Sequence, residues 1–489
     1  MLKRILSGIC LLISLSLNAQ NDIDITRETL SRSNIEGHIY FLASDELKGR
    51  ETGSPEIDIA AEYLATTLRR FGVQPVPGAD DGYFQAVELE KFIPATSKKF
   101  TLGDFSTENV IQLSGSNIQS SIEVVFLGYG MEADYLQKDV AGKLVIALVG
   151  KNGESDVSSS FRLANIKRAT AQNRGAAGLV EINTFGANTW YRFSNYFGRP
   201  TTRIQSQDTS NFIHLWLQDK DEVLLSESKK KNASAEVTID GISRTLLPAK
   251  NVVGMVPGTD PQLKNEFVIY SAHYDHIGVK PSDAEVDSIF NGARDNAVGT
   301  VTVLSAAENI AKNPTKRSAL FILFTAEEKG LLGSKWYADH PLIPLDQMVY
   351  CFNSDNGGYN DTSVATIVGL GRTTAEKHIR EACQEFGLEA IDDPAPEQGL
   401  FDRSDNVSFA AKGVPAPTFS LGFRAFDAEI GKYYHQTSDN PDNLDYEYLT
   451  KFFGAYVMAC RLIANDPVKP FWVEGDKYHA AGKMLYAEK

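Results

Sequence analysis

The chain has 489 residues, 43% of them hydrophobic, and its formal net charge is −15 at pH 7. This length is too great for one ordinary hydrophobic core, so we expect two domains, and the apolar content excludes a disordered or fibrous chain. The acidic balance argues against nucleic acid or anionic lipid as a partner, because no basic stripe is present to release counterions from phosphate.

The first residues have the composition of a targeting segment. Lys3 and Arg4 form a charged start, an apolar stretch covers residues 5–17, and a small residue, Ala19, ends a cleavage site. We therefore expect a signal peptide over residues 1–19 and an exported mature chain, either periplasmic or secreted. No later run approaches the roughly 18 apolar residues of a membrane span, so no membrane span is predicted.

Two helices joined by a polar loop are predicted at the start of the mature chain. Apolar residues recur there at steps of three and four, at Ile35, Ile39 and Leu42 and again at Ile57, Ala61, Leu64 and Leu68. Between these runs, the segment LASDELKGRETGSP is polar and contains glycine and proline, which is typical of a loop that leads into a helix.

The segment from residue 105 to residue 247 has a different texture. It consists of short β-branched runs such as KLVIALVG and GLVEIN, with turn residues between them, and one helical piece, FRLANIKRATAQNRGA. These features predict a compact β-rich insertion over residues 105–247.

From about residue 248 the sequence alternates between apolar strands and helical stretches. The strands are FVIYSAH, ALFILFTAEE, MVYCFNSD and VPAPTFSLG. Near-continuous apolar strands separated by helices are typical of a parallel sheet that is buried on both faces. We therefore predict an α/β fold with a mixed, mostly parallel sheet flanked by helices.

Side chains of the metal-binding type occur where the apolar strands end. They are His273, Asp295, Glu328, Asp355 and His435, and Glu327 is a further carboxylate beside them. In an open parallel sheet the ligand crevice lies beyond the carboxyl ends of the strands, so independent strands deliver these side chains to one edge. His, Asp and Glu in this mixture can hold two divalent ions and leave one carboxylate free to act on water, which indicates the active site of a hydrolase.

Several motifs, taken with their order along the chain, resemble the di-zinc aminopeptidases of metallopeptidase family twenty-eight. The motifs are LASDELKGRETGSPE, AHYDHIG, NGARDNAVGT, TAEEKGLLGS, NSDNGG, RSDNVSFAAKGVPAPTFS and YYHQTSDN. The resemblance covers nearly the whole mature chain and implies a zinc-exopeptidase fold of the phosphorylase/hydrolase-like type. It also implies a discontinuous peptidase domain over residues 20–104 and 248–489, and residues 105–247 resemble an inserted protease-associated domain.

The same resemblance implies a role for each residue of the expected metal centre. His273 and Asp355 would hold one Zn²⁺, Glu328 and His435 would hold the other, and Asp295 would bridge the two. A bridging carboxylate allows two cations ~3.5–4 Å apart to coexist, because its charge offsets part of their repulsion.

The catalytic residues also follow from the resemblance. Glu327 would be the general base, Tyr434 would polarise the scissile carbonyl, and Asp275 would hydrogen-bond the His273 imidazole and fix its tautomer. Neighbouring positions in a strand or turn point in different directions, so one of two adjacent glutamates can bind metal while the other faces the water.

Three residues of the expected substrate pocket are more weakly matched. Arg294 stands beside Asp295 where relatives commonly carry an acid. Arg403 and Asp405 resemble pocket residues, although the next position is asparagine where relatives often have histidine. The remaining histidines, His276 among them, match no ligand position, and we expect surface or structural roles for them.

The predicted function is that of an exported metallo-aminopeptidase, a hydrolase that removes N-terminal amino acids from peptides, with Glu327 as the base for a metal-activated water. No GxSxG occurs and no His is followed by Glu, which excludes a nucleophile elbow and an HExxH zinc protease. The alternatives are a carboxypeptidase or dipeptidase of the same family, a single-zinc glutaminyl cyclase, and a metal-free receptor-like ectodomain. The oligomeric state, the physiological metal and the preferred N-terminal residue stay open.

Overall fold

The computed structural model describes residues 22–154, 156–206, 211–280 and 287–487. The chain divides into two compact units, a larger one formed by Met1–Glu88 with Pro248–Lys489 and a smaller one formed by Leu89–Leu247. The expected signal peptide over residues 1–19 lies outside the described residues.

The main sheet alternates with helices along the chain. In chain order its strands include β1 (Phe84–Ile93), β2 (Ser243–Val256), β3 (Phe267–His273), β4 (Ser318–Phe324), β5 (Met348–Ser354), β6 (Val364–Val368), β7 (Glu389–Ile391) and β8 (Thr418–Leu421). Across the sheet these strands lie in the order β7-β6-β8-β5-β3-β4-β2-β1. β3 pairs in parallel with β4 and β5, and β8 pairs in parallel with β5, whereas β2 is antiparallel to β4 and β6 is antiparallel to β8.

The central strands are buried on both faces. Every residue of β3, β4 and β5 is buried, and alternate side chains enter two different cores. Tyr270 packs in one core with the helices Pro55–Phe71 and Gly299–Lys312, while Ile269 packs in the other with Tyr337. Because helices cover both faces, the predicted α/β fold with a mixed, mostly parallel sheet is confirmed.

The helices of the larger unit cover the two faces of the main sheet. They include Arg32–Leu42, Pro55–Phe71, Gly299–Lys312, Leu332–Asp339, Glu376–Glu385, Asn406–Ala410, Ala428–Gly431, Tyr446–Asn465 and His479–Leu485. The two helices predicted at the start of the mature chain are confirmed. The second begins at Pro55 and is capped by Ser54, whose side chain accepts a hydrogen bond from the Ile57 N–H. None of the helices in the described part of the chain is long and apolar enough to cross a membrane.

The smaller unit is rich in β-structure. Its sheet has the order Phe105–Thr107, Ser97–Leu102, Ser234–Asp240, Ile118–Phe126, Leu144–Leu148, Gly178–Asn183, Ile213–Gln218 and Val110–Ser114. Its helices include Val157–Asn173, Ala187–Phe197 and Val223–Ser228, and a further strand, Thr201–Ile204, pairs antiparallel with Leu89–Phe92. That residues 105–247 form a protease-associated domain stays a prediction.

Candidate metal centre

The side chains singled out in the sequence converge beyond the carboxyl ends of the parallel strands. His273 is the last residue of β3, the pair Glu327 and Glu328 follows β4, and Asp355 follows β5 directly. Asp295 precedes the helix Gly299–Lys312, and His435 follows the short helix Ala428–Gly431. The same cavity is lined by His273, Asp295, Glu327, Glu328, Asp355 and His435.

The distances between these side chains fit two metal ions that share Asp295. His273 Nε2 lies 3.4 Å from Asp295 Oδ1 and 3.2 Å from Asp355 Oδ1. His435 Nε2 lies 3.1 Å from Asp295 Oδ2 and 3.5 Å from Glu328 Oε2. Two ligand atoms of a tetrahedral Zn²⁺ are roughly 3.4 Å apart, because each bond is about 2.0–2.2 Å long. Each oxygen of Asp295 therefore faces a different histidine at a separation that suits a shared cation.

His276 is a member of this cluster that the sequence did not indicate. Its side chain is fully buried, and its Nδ1 lies 2.8 Å from Glu328 Oε1 and 3.9 Å from Asp295 Oδ2. Within the described part of the chain, neither ring nitrogen of His276 has a hydrogen bond, and Glu328 Oε1 has none either. The spacing of three between His273 and His276 in AHYDHIG was the available signal, because it places His276 just beyond the end of β3, close in sequence to His273.

Asp275 fixes the turn that carries the two glutamates. Its Oδ1 accepts a hydrogen bond from the Glu327 N–H at 3.0 Å, and its Oδ2 accepts from the Glu328 N–H at 3.3 Å and from Thr52 Oγ1 at 3.0 Å. The expected contact with His273 is made differently, because Nδ1 lies 3.2 Å from the backbone carbonyl of Asp275 and 3.8 Å from its carboxylate. Burial raises the pKa of Asp275 to about 6.

Arg50 lies in the polar loop between the first two helices and holds the loops that carry the expected ligands. Its guanidinium is fully buried and donates hydrogen bonds to the backbone carbonyls of Tyr274 at 2.9 Å, Asn291 at 2.7 Å and Gly292 at 3.0 Å, and also to that of Leu42. Tyr274 lies beside His273, and Gly292 lies three positions before Asp295. One side chain thus ties together the segments that carry two of the expected ligands.

Burial and the neighbouring charges shift the pKa of several groups in the cluster. Burial opposes the ionisation of Asp295, but contacts with His273 and His435 hold its pKa well below the usual range. Burial raises the pKa of Glu327 well above the usual range, and His273 offsets only part of this effect. Burial also acts against the charged form of His273, but Asp355 and Glu327 raise its pKa. A bound cation would favour ionised carboxylates and neutral imidazoles.

One side of the cavity is apolar and its rim carries a cation. The apolar lining comes from Val368, Leu400, Phe423, Phe426 and Ile430. Arg403 lines the cavity as well, and its Nη2 donates a hydrogen bond to the Tyr434 hydroxyl at 3.3 Å. The Tyr434 ring stacks on His435 with the ring centroids 4.0 Å apart, which positions the hydroxyl beside the expected metal ligands.

The other two expected pocket residues do not line this cavity. Arg294 is buried, its Nη1 lies 3.1 Å from Asp439 Oδ1, and its guanidinium lies 3.7 Å from the centroid of the Tyr433 ring. Asp405 is also fully buried, and this burial raises its pKa to about 7. Arg403 is therefore the one residue of the three that is placed to contact a substrate directly.

The sheet presents His, Asp and Glu side chains at the separations of metal ligands, and a further carboxylate lies in the same cavity. This arrangement is typical of metal-dependent hydrolases. The model of Peptidase family M28 matches residues 251–459. The chain thus contains a peptidase family M28 domain, as the sequence motifs predicted.

Comparisons with individual proteins agree with this family. The chain is 28% identical over 221 residues to Aminopeptidase YwaD of Bacillus subtilis (strain 168), and the alignment covers 44% of each chain. It is 25% identical over 356 residues to the probable leucine aminopeptidase 2 of Aspergillus oryzae, covering 68% of this chain and 65% of the relative. It thus spans less than two thirds of the length of both relatives.

A solved structure shares the fold. The aminopeptidase from Aneurinibacillus sp. strain AM-1 is 21% identical in sequence and superposes with a TM-score of 0.52, covering 92% of this chain and 97% of that one. The family domain is that of a peptidase, and both curated relatives are named aminopeptidases.

Proposed function

We propose that the chain is an exported di-zinc aminopeptidase that removes N-terminal amino acids from peptides. The observation that carries this proposal is the geometry around Asp295, whose Oδ1 faces His273 and whose Oδ2 faces His435 at ligand-pair separations. Glu327, a carboxylate outside both ligand sets, lines the same cavity.

The proposed ligand sets are His273, Asp295 and Asp355 for one Zn²⁺ and Asp295, Glu328 and His435 for the other. When bound, the two ions supply Lewis-acid activation of a water and of the scissile carbonyl. The charge of the cluster supports two divalent ions. Its carboxyl groups are Asp275, Asp295, Glu327, Glu328, Asp355, Asp405 and Asp439, whereas Arg50 and Arg294 are its buried guanidinium groups.

Glu327 acts as the general base in this proposal. It accepts a proton from the attacking water and then delivers a proton to the leaving amine. Its backbone N–H is held by Asp275, so the side chain enters the cavity from a fixed point.

Tyr434 and the apolar lining bind the substrate. The Tyr434 hydroxyl donates a hydrogen bond to the scissile carbonyl oxygen, where negative charge develops in the transition state. Phe423, Phe426 and Ile430 surround space that suits an apolar N-terminal side chain. We therefore expect apolar N-terminal residues to be removed faster than charged ones.

Arg403 favours a second candidate function, that of a carboxypeptidase or dipeptidase of the same family. A guanidinium at the rim of the cavity can bind the C-terminal carboxylate of a short substrate with two hydrogen bonds. The aminopeptidase remains the leading proposal, because the two curated relatives are named aminopeptidases.

The decisive experiment is a panel of peptides with free or blocked termini, assayed with and without a chelator. We expect cleavage of substrates with a free N-terminus, including those with an amidated C-terminus, and loss of this activity on chelation. Cleavage of N-blocked substrates from their C-terminus would overturn the aminopeptidase assignment in favour of the second candidate.

Export and the inserted domain belong to the same proposal. The charged start and apolar stretch before Ala19 support a signal peptide, and the β-rich unit Leu89–Leu247 supports a protease-associated domain. N-terminal sequencing of the mature protein from culture fractions tests export, and we expect it to begin at Gln20. A mature chain that retains Met1 would contradict cleavage.

A further inference from the structure

The turn Leu400–Arg403 forms part of the cavity wall and is held from its outer side. Its first and last residues line the cavity, whereas the middle two, Phe401 and Asp402, do not. These middle residues contact the C-terminal segment Phe471–Tyr478 instead. A single helical turn has too few hydrogen bonds of its own to set its geometry. The cavity-facing side chains are therefore positioned by what packs against the other two.

Asp402 makes the most direct of these contacts. Both oxygens of its carboxylate lie 2.8 Å from Lys477 Nζ, and Oδ1 also accepts a hydrogen bond from the Tyr478 hydroxyl at 3.3 Å. The side chains of Lys477 and Asp402 are 51% and 54% exposed, so this pair adds little to the stability of the fold. Its loss should change the direction of the turn and leave the fold intact.

Phe401 is held by a second group of contacts. The Arg372 guanidinium lies 3.8 Å from the centroid of the Phe401 ring, and its Nε and Nη2 donate to the Asp476 carboxylate at 2.7 and 3.1 Å. The Tyr478 ring stacks on Phe401 with the centroids 6.0 Å apart. Because Asp476 and Tyr478 flank Lys477 in sequence, both groups of contacts reach the turn from the same stretch of chain.

The C-terminal segment has its own anchor and so provides a fixed support for the turn. Trp472 is buried, and its Nε1 donates to the Gly413 carbonyl at 2.9 Å. The Val473 N–H donates to the Arg372 carbonyl at 3.0 Å. Neither contact involves Lys477, so a substitution there leaves the anchor in place.

We propose that Lys477 is a positioning residue for the proposed peptidase site and acts through Asp402 on Arg403. The pair holds the turn so that the Arg403 guanidinium stays at the rim, where its Nη2 donates to the Tyr434 hydroxyl at 3.3 Å. From there it donates hydrogen bonds to carbonyl oxygens of a bound peptide. The C-terminal segment thus contributes to substrate affinity although it does not line the cavity. The inference rests on the proposed function.

The test compares KM and kcat of Lys477 variants of the full-length protein on a peptide amide with an apolar N-terminal residue. Lys477→Glu sets a second negative charge beside Asp402, and we expect KM to rise about 5-fold. We expect kcat and zinc content to be unchanged, because the proposed ligands lie on other segments. Lys477→Arg keeps the pair and should retain the wild-type KM. Lys412→Glu is the matched control, because it breaks an exposed pair with Asp339, at 2.6 Å, and neither residue lines the cavity.

A double-mutant cycle shows whether the effect passes through Arg403. Arg403→Ala should raise KM about 10-fold, because hydrogen bonds from a charged donor are lost. Lys477→Glu added to Arg403→Ala should cause no further rise, because two substitutions that disturb the same contact are not additive. Additive effects on KM would overturn the inference.

Two further results would also overturn it. One is an unchanged KM in Lys477→Glu. The other is a joint fall in kcat, zinc content and melting temperature, which marks a purely structural role. The peptides with free and blocked termini decide the proposed function separately. Cleavage from the C-terminus contradicts that function, and the KM comparison is then made on the peptides that the wild type cleaves.

Discussion

The molecule buries two groups of polar side chains that contain histidine and glutamate, one in each unit. In the smaller unit, Glu181 Oε1 lies 2.6 Å from Lys167 Nζ, and its Oε2 accepts from Trp216 Nε1 at 2.7 Å and faces His214 Nε2 at 3.0 Å. Lys167 also donates to the Leu148 carbonyl at 2.7 Å. In the larger unit, by contrast, His276 and Glu328 Oε1 are buried without hydrogen bonds among the described residues.

The two clusters differ in whether their buried charges are balanced by the protein's own residues, and this difference distinguishes a structural cluster from a ligand site. Around Glu181 each buried charge has an opposite charge and several hydrogen bonds, which is the condition for a stable buried ion pair. Around Asp295 the carboxylates outnumber the guanidinium groups, and several buried polar atoms have no hydrogen bond to any residue that the structure describes. We therefore propose that a bound cation supplies the missing charge around Asp295.

Removal of metal is the largest expected difference between the two clusters. We expect a chelator to abolish peptidase activity and Zn²⁺ to restore it. In hydrogen-exchange mass spectrometry, the loops around Asp295 should lose protection, while the strand that carries Glu181 keeps its protection. Full activity in protein shown by elemental analysis to contain no metal would refute the proposed mechanism.

Substitution of the proposed base sharpens the division of roles within the larger cluster. Glu327→Gln keeps the size and both zinc ions but cannot accept the proton, so we expect kcat to fall by about 10²–10⁴-fold. Elemental analysis alongside kinetics checks this result, with Glu308→Gln, which removes only a partner of Lys312, as the control. If Glu327→Gln loses a zinc ion, the roles of the two glutamates have been exchanged.

Tyr434→Phe removes one hydrogen-bond donor from the cavity and leaves every proposed ligand in place. We expect kcat to fall by about 10²-fold, the loss typical of one oxyanion donor, with little change in KM or in zinc content. Steady-state kinetics on one good substrate measures both constants. An increase confined to KM would instead assign Tyr434 to ground-state binding.

The residues at the ends of the central strands were predicted correctly from the local sequence. His273 and Asp355 lie at or just beyond the ends of apolar strands, and a parallel sheet brings such ends together whatever the loops do. The contact of Asp275 was not predictable in the same way. Whether its carboxylate or its carbonyl reaches His273 depends on a few backbone angles in a loop, and the carbonyl is the nearer group.

Long-range contacts were the other limit of prediction. Arg50 belongs to a polar loop segment that reads as exposed, yet its partners Tyr274 and Asn291 are 224 and 241 positions away. Arg294 was expected in the pocket because it adjoins Asp295, but its guanidinium forms a buried ion pair with Asp439 instead. Sequence order placed Arg294 near the site without indicating which way its side chain points, and it gave no sign that Arg50 reaches the site.

Lys167→Met tests the balanced cluster and is the smallest effect expected. The substitution keeps the apolar stem but leaves Glu181 buried without its nearest cation, although His214 and Trp216 still contact it. Breaking a buried pair costs about 3–5 kcal/mol, and the remaining contacts place the expected loss in the free energy of unfolding near the lower value, about 3 kcal/mol. Denaturant unfolding measures this loss. Lys432→Met, which removes an exposed pair with Glu429, is the control, and we expect little change in its stability. Zinc content should be unchanged in both variants, because the cluster around Glu181 is complete without a cation. Loss of zinc in Lys167→Met would instead show that the two clusters are coupled.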